Sequence, residues 1–169
     1  MGEVRGLLVR NVHLDDGYLD IVTNYVAGDG LKDHDKAGNT RLGVPLVTRA
    51  VDALRDIIML NPFAARPDAF VFFSTGSEHQ PIDDRVITKE LKKRMKAAGI
   101  SGGQTFHSFR HTYISHLRGV VPEAKLRAIV GHSSAETTDR YTHQTAEDRA
   151  AFRGAVNGLV PIQTARQDA

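Results

Sequence analysis

The sequence predicts an α+β fold, mainly helical, with one small antiparallel sheet. Two observations lead there: apolar residues recur at helical spacing through most of the second half of the chain, and extended segments bounded by turn residues concentrate in the first half. A third bounds the size, since 169 residues with 41% apolar content are enough for one ordinary domain with a buried core.

Residues 3–12 repeat apolar positions as a short helix does (Val4, Leu7, Leu8) and run into the turn signal Asp15-Asp16-Gly17. Extended segments at 18–26 and 41–47, separated by a polar Gly/Asp/Lys loop, form a β-hairpin with a long tip. Thr48 is placed to cap a helix reaching about Leu60, where Asn61-Pro62 stops it. The run Ala69-Phe70-Val71-Phe72-Phe73 reads as a buried strand. Residues 83–98 form the clearest amphipathic helix, with Asp83 or Asp84 as N-cap and Gly99 as its stop. On it Ile87, Leu91, Met95 and Ala98 share one face, and Lys89, Lys92, Lys93 and Lys96 share the opposite one. Further helices fit 106–117, 121–130 with Pro122 in its first turn, 135–142 and 146–156, before a polar tail. Phe152, Ala155, Val156 and Leu159 make an apolar stripe at helical spacing that must be buried somewhere.

Composition removes several function classes. Without cysteine there is no disulfide framework, no thiolate zinc site and no cysteine nucleophile. No apolar run approaches the roughly 20 residues of a membrane span, and residues 1–10 lack the pattern of a cleaved leader, so a soluble, unsecreted chain without a membrane partner is expected. The charges fall in blocks. Residues 1–84 carry 8 Lys/Arg against 13 Asp/Glu, residues 85–127 carry 10 against 2, and residues 128–169 carry 4 against 5. A basic block inside a near-neutral chain is the footprint of a phosphate-backbone partner, and its plain alternative is a solvated face.

The chemistry-bearing stretch is Phe106-His107-Ser108-Phe109-Arg110-His111, then Gly131-His132-Ser133-Ser134, then Thr138-Asp139-Arg140-Tyr141-Thr142-His143. His107 and Arg110 lie three apart on a helix and leave from one face. Arg110 precedes His132 by 22 positions, and His132 precedes Tyr141 by 9. Each motif alone is weak; three in order at these distances are specific. The pattern resembles the catalytic domain of the tyrosine recombinases, the phage integrase family, over nearly the whole chain. Arg41, Val44, Pro45 and Leu46 resemble that family's second and third strands, and Val130 stands where Leu is more usual.

The resemblance implies the integrase-like DNA breaking-rejoining fold, with a catalytic domain over residues 1–160 and a polar tail over 161–169. It also implies site-specific cleavage and rejoining of double-stranded DNA through a covalent 3′-phosphotyrosyl intermediate, with no cofactor and no metal. Such an enzyme is expected in the cytoplasm, at the nucleoid of a prokaryote or in a phage context, as a monomer when free and an oligomer when assembled on DNA. The roles follow from the chemistry. Attack on a phosphodiester builds negative charge on the non-bridging oxygens, which Arg110 meets with two parallel donors that never deprotonate. A tyrosine hydroxyl with a reference pKa of about 10 needs a proton acceptor and a cationic site, so Tyr141 is the nucleophile and His107 the acceptor. His132 donates to a phosphate oxygen. In the resembling family a hairpin lysine protonates the leaving 5′-oxygen, which implies that role for Lys36, or Lys32 as the alternative, since the loop aligns only with a gap. Lys89, Lys92, Lys93 and Lys96 contact the DNA backbone. The segment after the nucleophile often docks on a neighbouring protomer in the resembling family, so the 152–159 stripe has two placements, in trans or in cis.

Competing readings of the same residues are a core histidine for His107, a His107/His111 metal pair in a metal-dependent nuclease, packing roles for Tyr18, Tyr25 and Tyr113, surface or supporting roles for His116 and His143, and a solvated loop lysine for Lys36. A catalytically silent DNA-binding or assembly module would keep the fold and the lysine face. One departure matters. The family's first arginine precedes the equivalent of Glu3 by three positions, which falls one residue before Met1, and neither Arg5 nor Arg10 takes its register. The chain is therefore expected to be a fragment of a longer recombinase and to cleave poorly alone.

Overall fold

The computed structural model describes residues 1–33, 40–118, 120–130 and 145–159. The expected helix 135–142, the tail 161–169 and the residues Lys36, His132, Tyr141 and His143 lie outside the described residues. In chain order the elements are α1 (Gly2–Gly6), a 3-10 turn (Val9–Asn11), β1 (Val12–His13), β2 (Tyr18–Ile21), β3 (Thr23–Val26), β4 (Gly30–Asp33), β5 (Arg41–Pro45), α2 (Thr48–Leu60), β6 (Phe73–Ser74), β7 (Ser77–Pro81), α3 (Asp84–Ala97), α4 (Phe106–Leu117), α5 (Glu123–Val130) and α6 (Ala146–Leu159). The helix-rich α+β class is as expected; among the described residues the sheet is not one but three small antiparallel units, β1-β2-β5, β3-β4 and β6-β7.

Helix α1 ends earlier than the apolar repeat suggests, because long-range partners capture its backbone. Leu7 turns extended, Val71 N–H donates to Leu7 O at 2.9 Å, and Val9 N–H donates to Ala69 O at 2.9 Å. The segment expected as a buried strand is thus drawn onto the N-terminus by single bonds. Ala69, Phe70 and Val71 are buried, but regular pairing is confined to β6 with β7 and to one bridge between Leu8 and Phe70. Gly6 is required by close packing, since a Cβ there would lie 2.9 Å from Tyr25 N and 3.0 Å from Asn24 Cα.

The expected hairpin also divides. β2 pairs antiparallel with β5, as a hairpin requires, with Tyr18 opposite Pro45 and Leu19 opposite Val44, then slips by one residue before Ile21 meets Arg41. Beyond Val22 the chain leaves that sheet. Buried Thr23 donates its hydroxyl to Gly6 O at 2.6 Å, and β3 pairs with β4, a strand inside the segment that composition marks as loop. Gly28 and Gly30, at φ +90° and +84°, make the tight turn between them.

Helix α2 has the expected limits with a different cap. Val47 is the N-cap, and the helix start is held from a distance: Asn157 Oδ1 on α6 accepts from Thr48 N–H at 3.2 Å while its Nδ2 donates to Thr48 Oγ1 at 3.1 Å. Asn61 ends the helix and ties down the next segment by donating to Phe70 O at 2.9 Å and accepting from Phe63 N–H. On α3 the cap is Asp83, accepting from Arg85 N–H at 2.8 Å, and Gly99 at φ +70° stops it. Helix α5 begins at Glu123, one residue after Pro122, whose carbonyl accepts from Leu126 N–H.

Two apolar clusters organise the described residues. One joins Leu7, Leu46, Val51, Leu54 and Val71 between the sheet and α2; the other joins Leu117, Val121, Leu126, Ile129, Val130, Phe152 and Val156 between α4, α5 and α6. Phe152 and Val156 of the stripe on α6 are therefore buried in cis. Arg153 Nη2 fastens the helix to the turn before β2 by donating to Asp16 O at 2.7 Å, and the Arg149 guanidinium lies 4.5 Å from the Tyr18 ring centroid. Because Phe152 is 6% exposed within this cluster, Phe152→Ala is expected to cost about 3 to 5 kcal/mol of monomer stability in denaturant unfolding. An unchanged midpoint would mean that the ring contributes nothing in cis.

Candidate active site

Helix α4 presents the His-x-x-Arg pair. Its start is fixed by Ser108 Oγ, which accepts from Thr105 N–H at 3.1 Å, and its inner side packs Tyr113, Ile114 and Leu117 against the second cluster. That orientation leaves His107 and His111 exposed, their rings 5.1 Å apart edge to face, and Arg110 half-buried. A core role for His107 is excluded by its exposure. Among the described residues no group of three His, Asp or Glu side chains could hold a metal, so His107 and His111 gather no third ligand there.

Arg110 is directed at the end of α5. Its Nη2 donates to the carbonyl of Val130, the residue directly before Gly131-His132 in the sequence. Carbonyls in a helix's last turn have no intrahelical donor and carry the negative end of the helix dipole, so a guanidinium is a natural partner. The same carbonyl accepts from a second one, Arg41 Nη1 at 3.1 Å. Arg41 is 7% exposed, and its Nη2 is ion-paired with Glu3 on α1. The sequence reading uses Arg41 only to mark the strand. Leu42 is 41% exposed and Arg41 is inside.

The chain has four tyrosines, and the three described are all packed. Tyr18 stacks on His13 at 4.2 Å, and Tyr25 meets Phe70 edge-on at 5.8 Å under the Arg5 guanidinium. Tyr113 lies 6.4 Å from Phe152, and burial pushes its phenol well above the ordinary tyrosine range, the wrong direction for a nucleophile.

Lys89, Lys92, Lys93 and Lys96 are exposed along one side of α3, whose opposite residues Ile87, Leu91 and Met95 are half-buried. Lys92, Met95, Lys96 and Ile100 line an open recess with Gln104 and Thr105, at the start of α4, so the lysine face borders the helix that carries His107 and Arg110. Lys32, the alternative to Lys36, is exposed on β4 and paired with Asp29 three residues away.

The family model of the phage integrases matches residues 1–148. This chain belongs to the phage integrase family. Among curated relatives of this phage integrase chain, tyrosine recombinase XerC of Methylobacterium sp. (strain 4-46) is 31% identical over 159 residues, covering 92% of this chain and 45% of the relative. Tyrosine recombinase XerC of Neisseria meningitidis serogroup B (strain ATCC BAA-335 / MC58) is 32% identical over 141 residues, covering 81% and 43%. The chain thus spans a little under half the length of these relatives. Solved structures share the fold. The XerA recombinase matches with TM-score 0.57 at 23% identity over 94% of this chain and 52% of that one. The Tn1549 transposon integrase in complex with circular intermediate DNA matches with TM-score 0.62 at 19% identity over 95% and 55%. No helix among the described residues of this family member is long and apolar enough to cross a membrane.

Proposed function

We propose that this chain is the catalytic domain of a site-specific DNA recombinase, residues 1–160 with a polar tail, that cleaves and rejoins double-stranded DNA through a covalent 3′-phosphotyrosyl intermediate. The observation that carries this reading is the ordered set His107, Arg110, His132 and Tyr141 in a phage integrase family member, with every other tyrosine packed. Arg110 meets the charge that develops on the scissile phosphate, His107 takes the phenolic proton, and His132 donates to a phosphate oxygen. Lys36, or Lys32 in its place, supplies the proton to the leaving 5′-oxygen. The covalent link conserves the phosphodiester's energy, so rejoining needs neither ATP nor a metal. A bacterial or phage cytoplasm and assembly of several protomers on DNA complete the proposal.

The test is covalent trapping. DNA selected from a random pool by binding to the protein, and then nicked, is expected to yield a denaturant-resistant adduct whether or not EDTA is present. Binding without any adduct would favour the silent assembly module, and cleavage that EDTA abolishes would favour a metal-dependent nuclease. The assay is run on this chain and in parallel on one extended to carry an arginine three positions before Glu3.

The lysine face has its own test. Affinity for duplex DNA is expected to fall steeply with salt, and replacing Lys89, Lys92, Lys93 and Lys96 by Ala should flatten the slope by roughly 0.9 for each phosphate that is no longer neutralised, for all sequences alike. A quadruple variant that keeps the parent slope would make this face merely solvated.

A further inference from the structure

Arg41 is an unusual residue for its place. It stands on β5 opposite Ile21, with its side chain 6% exposed, where a strand between α1 and α5 would pack an aliphatic residue at lower desolvation cost. Its charge is met by Glu3 of α1, whose side chain is 40% exposed, and its Nη1 donates to Val130 O at 3.1 Å. One planar fork thus joins the N-terminal helix, the sheet and the end of α5. Arg110 donates to that same Val130 oxygen. A lysine offers a compact point charge instead of a fork in which one nitrogen donates to Val130 O while another meets the Glu3 charge.

We propose that Arg41 is a positioning residue: by gripping Glu3 and the Val130 carbonyl from inside the sheet, it fixes the anchor on which the Arg110 guanidinium rests. The inference builds on the recombinase reading for its catalytic consequence, but the coupling between the two arginines is a property of the free protein. The ion pair with half-exposed Glu3 explains why the Arg41 charge is kept inside at this point. Removing Arg41 would leave the Glu3 carboxylate without this partner and let the α5 terminus shift relative to α4. A displacement of about 1 Å at a reacting group costs on the order of a hundredfold in rate.

The experiment uses Arg41→Lys with two readouts. In the free protein, the Arg110 Nε–Hε resonance, assigned by its loss in Arg110→Lys, is expected to move and to exchange faster with solvent. With saturating nicked DNA selected from a random pool, the single-turnover cleavage rate is expected to fall by about tenfold to a hundredfold, while the dissociation constant stays within about threefold. An unmoved Arg110 resonance overturns the proposal, and so does a moved resonance with an unchanged cleavage rate. If neither the parent nor the chain extended by an arginine three positions before Glu3 forms an adduct while the resonance moves, the positioning stands and the recombinase reading falls. Should Arg41→Lys fail to fold, Glu3→Gln removes the charge partner of Arg41 at constant size; the Arg110 resonance should still move, and its staying in place overturns the proposal.

Discussion

Tyr141→Phe is expected to abolish the covalent protein–DNA adduct while leaving DNA binding nearly unchanged, because a single hydroxyl is lost from a side chain of the same shape. The expectation rests on elimination as well as on spacing. A nucleophilic phenol must reach the phosphate and give up its proton near neutral pH. Tyr113 does the opposite: it sits against Phe152 in the cluster between α4, α5 and α6, where burial disfavours the phenolate. Tyr18 lies between the His13 ring and the Arg149 guanidinium, and Tyr25 between Phe70 and Arg5, so each serves to dock a neighbouring element. Tyr113→Phe is therefore expected to keep full adduct formation. Proteolysis of the trapped adduct and mass analysis of the peptide carrying the nucleotide decide the matter, and recovery of the Tyr113 peptide would overturn the assignment.

How far the sequence could be read depended on whether the deciding interactions were local. Helices α2, α3 and α4 were legible because stop signals at Asn61 and Gly99, the acidic cap at Asp83 and clean apolar spacing act within a few residues. The start of α2 shows the limit: a threonine in the right place suggested a self-contained cap, whereas the structure supplies the partner from Asn157, 109 positions away. The N-terminal helix was overestimated for the same reason, since Leu7 and Val9 exchange helical bonds for bonds to Val71 and Ala69. Strand β4 was missed because its polar residues carry no alternation, and its pairing with β3 is set by the Gly28–Gly30 turn and by Thr23 anchoring to Gly6. In the candidate site, His107 and Arg110 were legible from their three-residue spacing and the motifs that follow. Arg41 was not, because a buried charge has no local signature; only the fold shows that Glu3 and Val130 O converge on it.

Arg110→Ala is the second large effect expected. If Arg110 supplies a preorganised donor to the phosphate, its removal should cost about 2.7 to 4 kcal/mol in the cleavage transition state, roughly a hundredfold to a thousandfold in single-turnover rate. The competing explanation is that Arg110 merely closes the end of α5 by donating to Val130 O. The two differ in what they predict for stability. The Val130 carbonyl keeps a second donor in Arg41 at 3.1 Å, so it is not left unsatisfied, and the loss is about 1 kcal/mol, that of one ordinary hydrogen bond. For a chain of this size that corresponds to a melting shift of only about 2 to 4 °C. A hundredfold loss of cleavage at a temperature well below the melting point therefore cannot be an unfolding effect. Arg110→Lys sharpens the distinction, because it keeps the charge but loses the paired donors and should recover only part of the rate. A rate within tenfold of the parent for Arg110→Ala, or a full recovery by lysine, would remove the guanidinium from the chemistry and leave it as the fastening of α5.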